Sequence, residues 1–249
     1  MSNVIKAEWF KLRKDLSFRT LLLCIAAAAI VYPLLVIVDH TAGEPEVTSL
    51  EFMQNVLAGN AYVLKFSAAL LAGFFISSEY STGVMKCIAS SGNSRIRLFA
   101  AKLLVFTVGT ALLALTLPVV ATAVMVIANG DAGSLPLPFV LRALGFTLLY
   151  AAGFAGIAAL FSTLLTDSGK SIGFLFIFFL LMDSMLSGAG KYVPLIGTIY
   201  DYSVFKLVNN VPILERSGGQ LSTMVVVPVV WFLMFGALGI LAFRKKEIK

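Results

Sequence analysis

Long apolar stretches separated by short polar segments run along the whole chain. Four of them contain no charged residue, at positions 20–38, 103–130, 143–166 and 217–243. Two more contain one charge each, Lys65 within positions 56–76 and Asp183 within positions 171–187. The charge-free stretches exceed the roughly 18 apolar residues that indicate a membrane-spanning helix, and lipid-exposed backbone must satisfy its hydrogen bonds within its own segment. The pattern predicts six transmembrane helices, at about residues 20–38, 56–76, 103–128, 139–165, 171–187 and 224–243.

The composition supports this prediction. Of the 249 residues, 59% are hydrophobic and 13% are charged, and the mean hydropathy is +0.94, whereas a soluble domain has about 45–50% apolar and about 25% charged residues. A domain of this length leaves roughly a quarter of its chain surface in water, so one core cannot hide the excess. These values exclude a soluble enzyme, a disordered tail and a secreted disulfide scaffold. They predict an all-α integral membrane protein with a single transmembrane domain, residues 1–249.

A cleaved signal peptide is the alternative interpretation of the first apolar stretch. That stretch is longer than the 7–15 residues typical of a signal-peptide core, and the polar segment before it is unusually long. No small-x-small cleavage site precedes the acidic loop that follows. We therefore expect a retained span.

Basic residues are distributed unevenly between the two sides that six spans define. Of the 19 Lys and Arg residues, the outer side and its half of the spans hold only Lys65, Arg142, Lys191, Lys206 and Arg216. An excess of Lys and Arg marks the cytosolic side of a membrane protein. We therefore expect both termini in the cytosol, and we attribute the net charge of +6 to topology and not to nucleic-acid binding.

The N-terminal segment has helical periodicity. Ile5, Trp9, Leu12 and Leu16 recur at the spacing of one helix face, and most of the basic residues lie elsewhere around the axis. A basic helix with tryptophan on its apolar side is typical of a helix that lies in the plane of the inner leaflet. We predict such an interfacial helix over residues 2–19. The alternative is a simple cytosolic extension of the first span.

The segment between the second and third spans, residues 77–102, is longer than a plain helix connection requires. It leaves the span through Glu79 and Tyr80 and turns near Thr82-Gly83. A short helix-like piece, Val84–Ala89, comes next, and a serine-rich break then leads into basic residues before the third span. This organisation indicates a docking element for a cytosolic partner, with a solvated loop as the alternative.

Motifs for catalysis or metal binding are poor. His40 is the single histidine, and with Asp39 alone it lacks the ligand count of a zinc site, so we interpret it as a polar cap at a helix end. Gly169-Lys170-Ser171 resembles the end of a phosphate-binding loop, but the glycine required five positions before Gly169 is Leu164. We therefore expect no metal site, no catalytic residue and no ATP-binding site in this chain, and we interpret 169–171 as a short polar turn.

The two charges within apolar stretches need a physical explanation, because a charge near the centre of a spanning helix costs about 2.5–3.5 kcal/mol on insertion scales. Lys65 and Asp183 lie at similar depth, about 16 and 18 Å outward from the cytosolic ends of their helices at 1.5 Å per residue. They could pair, face a common polar cavity or line a pathway. The alternatives are that Lys65 extends to the outer interface and that Asp183 is a polar group at the end of a short span.

The long outer segment before the last span, residues 188–223, mixes tyrosines, prolines and charges. Interfacial tyrosines and interrupting prolines favour short helices that enter the outer leaflet. We predict a helical outer loop here.

The pattern Glu79-Tyr80-Ser81-Thr82-Gly83, followed by Lys86, a serine-rich break and Arg95, resembles the segment after the second span of type-2 ABC-transporter permeases. These proteins are six-helix membrane subunits of exporters. The resemblance covers nearly the whole chain, because the basic N-terminal helix, the six spans, the long first cytosolic loop and the long outer loop all have counterparts.

The resemblance implies that the loop contains a coupling helix that rests in a groove of a separate cytosolic ATPase. It assigns this coupling role to Glu79, Tyr80, Thr82, Gly83 and Lys86. It also implies that ATP and Mg²⁺ are bound by the partner ATPase, with no cofactor in this chain. A second permease subunit, identical or homologous, and a location in a bacterial plasma membrane follow from the same resemblance.

Among permeases of about this length, the chain is similar to those of antimicrobial-peptide self-protection, such as lantibiotic-immunity and bacitracin-resistance transporters. Their substrates are amphiphilic peptides or lipid-associated drugs that are removed from the membrane. A permease for sodium or another drug is the first alternative, and a non-transporting membrane scaffold or sensor is the second. A membrane-embedded enzyme would need converging carboxylates, histidine or serine, for which this sequence offers few candidates.

Overall fold

The computed structural model describes residues 2–41, 47–89, 94–130, 135–215 and 218–246. In these ranges all regular structure is helical, and α3 continues into α4 through a π-helical segment, Gly73–Ser77. The α-helices are α1 (Ser2–Lys14), α2 (Leu16–Thr41), α3 (Ser49–Ala72), α4 (Ser78–Ser81), α5 (Val84–Ala89), α6 (Arg95–Asn129), α7 (Leu137–Leu165), α8 (Ser168–Gly190), α9 (Pro194–Asp201), α10 (Val204–Val208) and α11 (Gly218–Lys245).

Six of these helices are long and apolar enough to cross a membrane, which confirms the predicted all-α membrane architecture. They are α2, α3 with its continuation to Ser81, α6, α7, α8 and α11. The short α5 coincides with the helix predicted at Val84–Ala89, and α9 and α10 form the predicted helical outer loop. His40 is a residue of α2, and the serine-rich break at 90–93 lies outside the described residues.

Local capping explains where several helices begin and end. Thr48 and Glu51 form a reciprocal capping box at the start of α3. Gly130, with φ of 67°, ends α6 in a left-handed conformation that glycine adopts without steric cost. Asp167 caps α8 by accepting a hydrogen bond from the backbone nitrogen of Lys170 at 2.8 Å. The Gly169-Lys170-Ser171 sequence is therefore part of the first turn of α8.

Polar contacts at the helix termini define two ends of the bundle. At one end, which we call the basic end, Lys246 donates to the carbonyl of Leu164 at 3.1 Å, and Arg95 donates to the carbonyl of Lys246 at 2.8 Å. At the opposite end, Asn129 donates to the carbonyl of Val47 at 3.3 Å. The end of α7, the start of α6 and the end of α11 thus meet at the basic end.

Helix α7 occupies the centre of the bundle and packs most closely against α11. A Cβ atom on Gly156 would lie only 3.2 Å from the Cα atom of Phe232, so the backbones of these two helices approach closely. The alanine stripe of α7 is fully buried within the single chain and comprises Ala151, Ala155 and Ala159. These alanines therefore pack inside the subunit. The spans α2 and α8, by contrast, bury few of their side chains within the chain.

The N-terminal helix differs from the predicted interfacial helix in its bounds and in its contact face. It ends at Lys14 and not at residue 19, because Asp15 accepts a hydrogen bond from the backbone nitrogen of Phe18 and caps a new helix. Leu16 is consequently the first residue of α2, with 77% of its surface exposed. Leu12 is completely buried in the protein core, and Ile5 packs against that core. Of the face predicted to enter lipid, Ile5 and Leu12 therefore contact the protein instead, whereas Trp9 and Leu16 are exposed.

Trp9, with 37% of its surface exposed, does not share the environment of Leu12, so the four predicted residues do not form one contact face. The physical reason is that α1 packs against the start of α6, and this contact selects the side of α1 that carries Leu12. Trp9 lies at the border of the outward side.

The close approach of α7 and α11 gives a test of the fold. We expect Gly156→Leu to force the two helices apart and to lower the free energy of unfolding by about 1–3 kcal/mol, because the added side chain would meet backbone that cannot move locally. Gly145→Leu is the matched control on the same helix, since a Cβ atom there meets nothing within 4 Å. Thermal unfolding in detergent measures both, and equal midpoints would contradict this packing.

Candidate functional site

The residues of the loop motif fall into a buried group and an exposed group. Glu79 is only 3% exposed and Tyr80 is partly buried, whereas Thr82 and Lys86 lie on the surface. Gly83, with φ of 73°, makes the turn between α4 and α5, a conformation that favours glycine. The motif thus joins a part anchored in the protein to a part that remains accessible.

Glu79 is held in a group of four charged residues that we call the charge cluster: Glu8, Lys11, Glu79 and Lys102. The ammonium of Lys102 lies 2.8 Å from a carboxylate oxygen of Glu8 and 2.8 Å from one of Glu79. Lys11 donates a hydrogen bond to the other carboxylate oxygen of Glu79. The cluster connects three segments that are distant in sequence, namely α1, α4 and the start of α6.

The charge cluster is withdrawn from water. Its side chains at Glu79, Lys102 and Glu8 are 3%, 5% and 8% exposed, and only Lys11 is more accessible, at 35%. The ring of Phe75 lies below both ammonium groups, 4.6 Å from that of Lys11 and 5.0 Å from that of Lys102. Two carboxylates balance two ammonium groups, and such pairing is what allows buried charges to persist.

The protonation of Lys11 reflects this environment. Burial, together with the neighbouring positive charge of Lys102, lowers the pKa of Lys11 from 10.5 to about 8. The two ammonium groups thus disfavour one another. The arrangement therefore depends on both glutamates remaining ionised.

The π-helical segment that precedes α4 joins the cluster to the other side of the bundle. The hydroxyl of Ser77 donates to the carbonyl of Ser162 at 2.9 Å, and the hydroxyls of Ser162 and Ser171 lie 2.7 Å apart. A Cβ atom on Gly73 would lie 3.1 Å from the carbonyl of Ser168. Short π-helical segments within α-helices occur frequently at functional sites. Here the segment itself packs against both α7 and α8.

Tyr80 attaches the loop to the end of α11. Its ring meets that of Phe243 edge-on at 6.5 Å, and the ammonium of Lys246 lies 4.8 Å above it. Lys246 also donates hydrogen bonds to the carbonyls of Thr163 and Leu164, and burial lowers its pKa. Tyr80 is therefore a structural contact within the protein.

The accessible part of the loop is small and of mixed character. Val84 is 45% exposed, and Ser81, Thr82 and Lys86 are also on the surface. The hydroxyl of Thr82 donates to the carbonyl of Ser78 at 2.7 Å, which fixes the turn before α5. This surface offers an apolar contact, two hydroxyl groups and a positive charge.

Lys65 and Asp183 lie in one neighbourhood but do not form a direct ion pair within 4 Å. Lys65 is only 3% exposed, and its ammonium faces the rings of Tyr62 at 5.5 Å, Phe154 at 6.0 Å and Phe205 at 6.0 Å. Asp183 is close enough to Lys65 for an electrostatic interaction. The alternative in which Lys65 extends to the interface is wrong, because its side chain is buried.

Asp183 instead connects α8 to the helical outer loop. It accepts a hydrogen bond from the hydroxyl of Tyr200 at 2.9 Å and one from the amide of Asn209 at 3.4 Å. Burial, together with the nearby carboxylate of Asp183, raises the pKa of Tyr200 to about 12, so the phenol remains a donor at neutral pH. Asp183 lies two turns before the end of α8 and is therefore not a helix-end group.

A cavity of about 820 Å³ opens at the opposite end of the bundle, between the outer loop and the start of α11. Its lining is mixed, with Asp201, Tyr202, Lys206, Glu215 and Gln220 among the polar side chains. Across the described ranges, no group of three His, Cys, Asp or Glu residues is placed to hold a metal ion.

Sequence reasoning missed three members of the charge cluster, Glu8, Lys11 and Lys102. Glu8 is an acidic residue within a strongly basic segment, three positions before Lys11, and that isolation was the available signal. Lys102 is one of the basic residues before the third span, and nothing around it in the sequence indicates a partner. The assignment of Glu79 and Tyr80 to a surface that docks an ATPase does not agree with their burial, whereas Thr82 and Lys86 are accessible.

The charge balance of the cluster can be tested by mutation. We expect Glu79→Ala to lower the free energy of unfolding by about 3–5 kcal/mol, because it leaves an excess ammonium group in a buried site. Adding Lys11→Met restores neutrality and should recover part of the loss. Glu215→Ala, which removes an exposed carboxylate, is the control. Chemical denaturation measures all four proteins, and a double variant no more stable than Glu79→Ala would contradict the charge-balance explanation.

The attachment of the outer loop can be tested at Asp183. We expect Asp183→Leu to cost about 1.5–3 kcal/mol, because the phenol of Tyr200 loses its charged acceptor. Limited proteolysis of residues 193–215 should accelerate in parallel. Asp201→Leu is the control, since that carboxylate is exposed and its ion pair with Lys206, at 2.5 Å, is on the surface. Equal protection of the outer loop in both variants would show that Asp183 does not secure it.

Comparison with known proteins identifies the family. Residues 4–183, more than half of the chain, match the family model described as ABC-2 family transporter protein. A comparison with curated proteins finds no match. The matched region contains most of α1, the charge cluster, the loop, the first four spans and most of α8. The chain therefore belongs to the ABC-2 transporter family and is a membrane permease subunit of an ABC transporter.

Proposed function

We propose that this permease is part of an ATP-driven exporter and that its α4–α5 loop receives the conformational signal of a separate cytosolic ATPase. The observation that carries the proposal is the charge cluster, because it joins the buried half of this loop to α1 and α6. In this proposal the basic end lies in the cytosol, as the distribution of Lys and Arg favours. ATP and Mg²⁺ are bound by the ATPase and not by this chain.

The ATPase contacts the exposed part of the loop in this proposal. Thr82, Val84 and Lys86 supply a hydroxyl, an apolar side chain and a cation on one short segment. Gly83 allows the chain to reverse between α4 and α5. Glu79 and Tyr80 have a different role, because they are buried and do not contact the ATPase. They transmit the movement of the loop to the spans.

Transmission requires that the loop and the spans move together. A displacement of α5 would pull on α4, and the paired charges of Glu79 and Lys102 would carry that displacement to α6. The hydroxyl of Ser77, bonded to the carbonyl of Ser162, would carry it to α7. Export then needs two states of the bundle with different affinities for the substrate, since only a difference in affinity shifts an equilibrium.

A second permease subunit, identical or homologous, completes the membrane part in this proposal. The spans α2 and α8 bury few of their residues within one chain and so have surface available for lipid or for a partner subunit. The alanine stripe of α7 has no such role, because it is buried inside the subunit.

The substrate we propose is an antimicrobial peptide or a similar amphiphile that the transporter removes from the membrane for self-protection. The support is the similarity to short permeases of lantibiotic immunity and bacitracin resistance. The mixed polar and apolar lining of the outer cavity is compatible with an amphiphile. Transport of sodium or of another drug by the same machinery is the second candidate. A scaffold or sensor without transport is less favoured, because the family is one of transporters.

The exposed part of the loop, which we propose contacts the ATPase, provides the test of this function. Co-expression with a candidate ATPase, followed by purification, should recover a stable complex from the wild type. We expect Val84→Asp with Lys86→Glu to reduce recovery of the ATPase and ATP-dependent substrate movement in proteoliposomes by at least about tenfold, because the apolar contact and the positive charge are both lost.

Lys191→Glu is the control, since this exposed residue lies at the opposite end. Thermal unfolding should be unchanged in both proteins, because all three side chains are exposed. ATP-independent transport by the purified permease, or full ATPase recovery by the double variant, would contradict the proposal.

A further inference from the structure

The outward side of α1 carries a cluster of exposed basic and aromatic residues that the coupling mechanism does not use. We propose that this side, comprising Lys6, Phe10, Arg13 and Lys14 with Trp9 at its border, binds the headgroups of anionic phospholipids in the leaflet at the basic end. We call it the lipid face. The proposal concerns a binding surface and does not depend on which substrate is exported.

The lipid face is defined by what the other side of α1 contacts. Glu8, Lys11 and Leu12 turn toward the bundle, where they join the charge cluster and the core. At 3.6 residues per turn, Lys6, Phe10, Arg13 and Lys14 fall within an arc of about 100° on the opposite side of the helix. All four are exposed. The bundle therefore fixes the rotation of α1, and the free side is strongly basic.

The charges on this side are largely uncompensated. Arg19, exposed on the first turns of α2, donates a hydrogen bond to the carbonyl of Arg13 at 2.9 Å and so adds a fourth cation beside the end of α1. Of the acidic residues nearby, Glu8 pairs with Lys102, and the single charge of Asp15, which accepts from the backbone nitrogen of Phe18, balances at most one of these cations. Three exposed cations on one side of α1, with Arg19 of α2 beside them, attract an anionic surface.

The apolar members indicate a membrane and not a soluble acidic partner. Phe10 is 65% exposed and Trp9 is 37% exposed, although both are costly to leave in water. Leu16, at the junction with α2, is 77% exposed. Aromatic side chains beside Lys and Arg are typical of the headgroup region, where the ring enters the acyl boundary and the cation meets a phosphate.

The position of α1 places the lipid face at headgroup level. Only Asp15 separates α1 from α2, and α2 is one of the six helices that can cross the membrane. Because α1 also packs against the start of α6, it lies beside the ends of two spans. Anionic headgroups would thus hold α1 from outside while the charge cluster holds it from inside.

The experiment compares two triple variants of the full-length permease in detergent. Native mass spectrometry measures retention of phosphatidylglycerol against phosphatidylcholine. We expect the wild type to prefer phosphatidylglycerol and K6Q/R13Q/K14Q to lose on the order of 100-fold in that preference, since each basic residue near an anionic surface contributes to binding. The control R97Q/K170Q/K245Q removes three exposed cations from the same end and should retain the preference.

Equal losses in the two triple variants, or no loss in K6Q/R13Q/K14Q, would overturn the proposal. If K6Q/R13Q/K14Q keeps its phosphatidylglycerol preference but no longer captures the ATPase, the proposal is also overturned. That result would assign this side of α1 to contact with the ATPase. This readout needs no ATP and no substrate, so its failure is distinct from failure of the proposed transport function.

A second measurement, the quenching of Trp9 fluorescence by brominated lipids, tests the same proposal without changing any residue of the lipid face. The chain has two tryptophans, so Trp231→Phe leaves Trp9 as the single reporter. In vesicles of phosphatidylcholine with a minor fraction of brominated phosphatidylglycerol, we expect stronger quenching of Trp9 than with the same fraction of brominated phosphatidylcholine. High salt should reduce the difference, because the attraction is electrostatic. Equal quenching by the two brominated lipids would overturn the proposal even if the triple variant did not fold.

Discussion

The structure at the basic end depends on the pairing of two buried carboxylates with two ammonium groups. None of Glu8, Glu79 and Lys102 is tolerable alone in a site that excludes water, so each requires the others to be in place. These residues belong to α1, α4 and α6, and the three segments are therefore held in one fixed arrangement. Because each buried charge needs its partners, the ion pairs fix the position of the loop relative to α1 and α6.

That constraint gives the loop two halves with different tasks. The half near Glu79 and Tyr80 is secured by ion pairs and ring contacts, while the half near Thr82 and Lys86 is open to a partner. A displacement of the exposed half is passed to the spans, because the ion pairs and ring contacts hold the other half rigidly. Helix α1 likewise has two sides with different contacts. One side joins the charge cluster, and the opposite side, the lipid face, is exposed and available to lipid.

The sequence predicted the features that depend on local pattern, and it missed those that depend on distant contacts. The six spans and α5 follow from apolar runs and helical spacing, which neighbouring residues determine. The partnership of Glu8 with Lys102 joins residues 94 positions apart, and no local signal reports it. Leu16 was assigned to the first helix because spacing alone does not reveal the cap at Asp15. Two of the three rings around Lys65 likewise come from other helices, Phe154 from α7 and Phe205 from α10.

The most direct test of the charge cluster measures whether α1 and α4 move as one body during turnover. Spin labels at Ala7 and Ser81, which are exposed and belong neither to the lipid face nor to the three residues proposed to contact the ATPase, report the distance between these helices in the permease bound to its ATPase. We expect one unchanged distance distribution in the nucleotide-free and ATP-trapped states, while a label pair at Ser81 and Lys191 changes. A shift of the first distance with ATP, with the second unchanged, would show that the charge cluster does not transmit the movement of the loop.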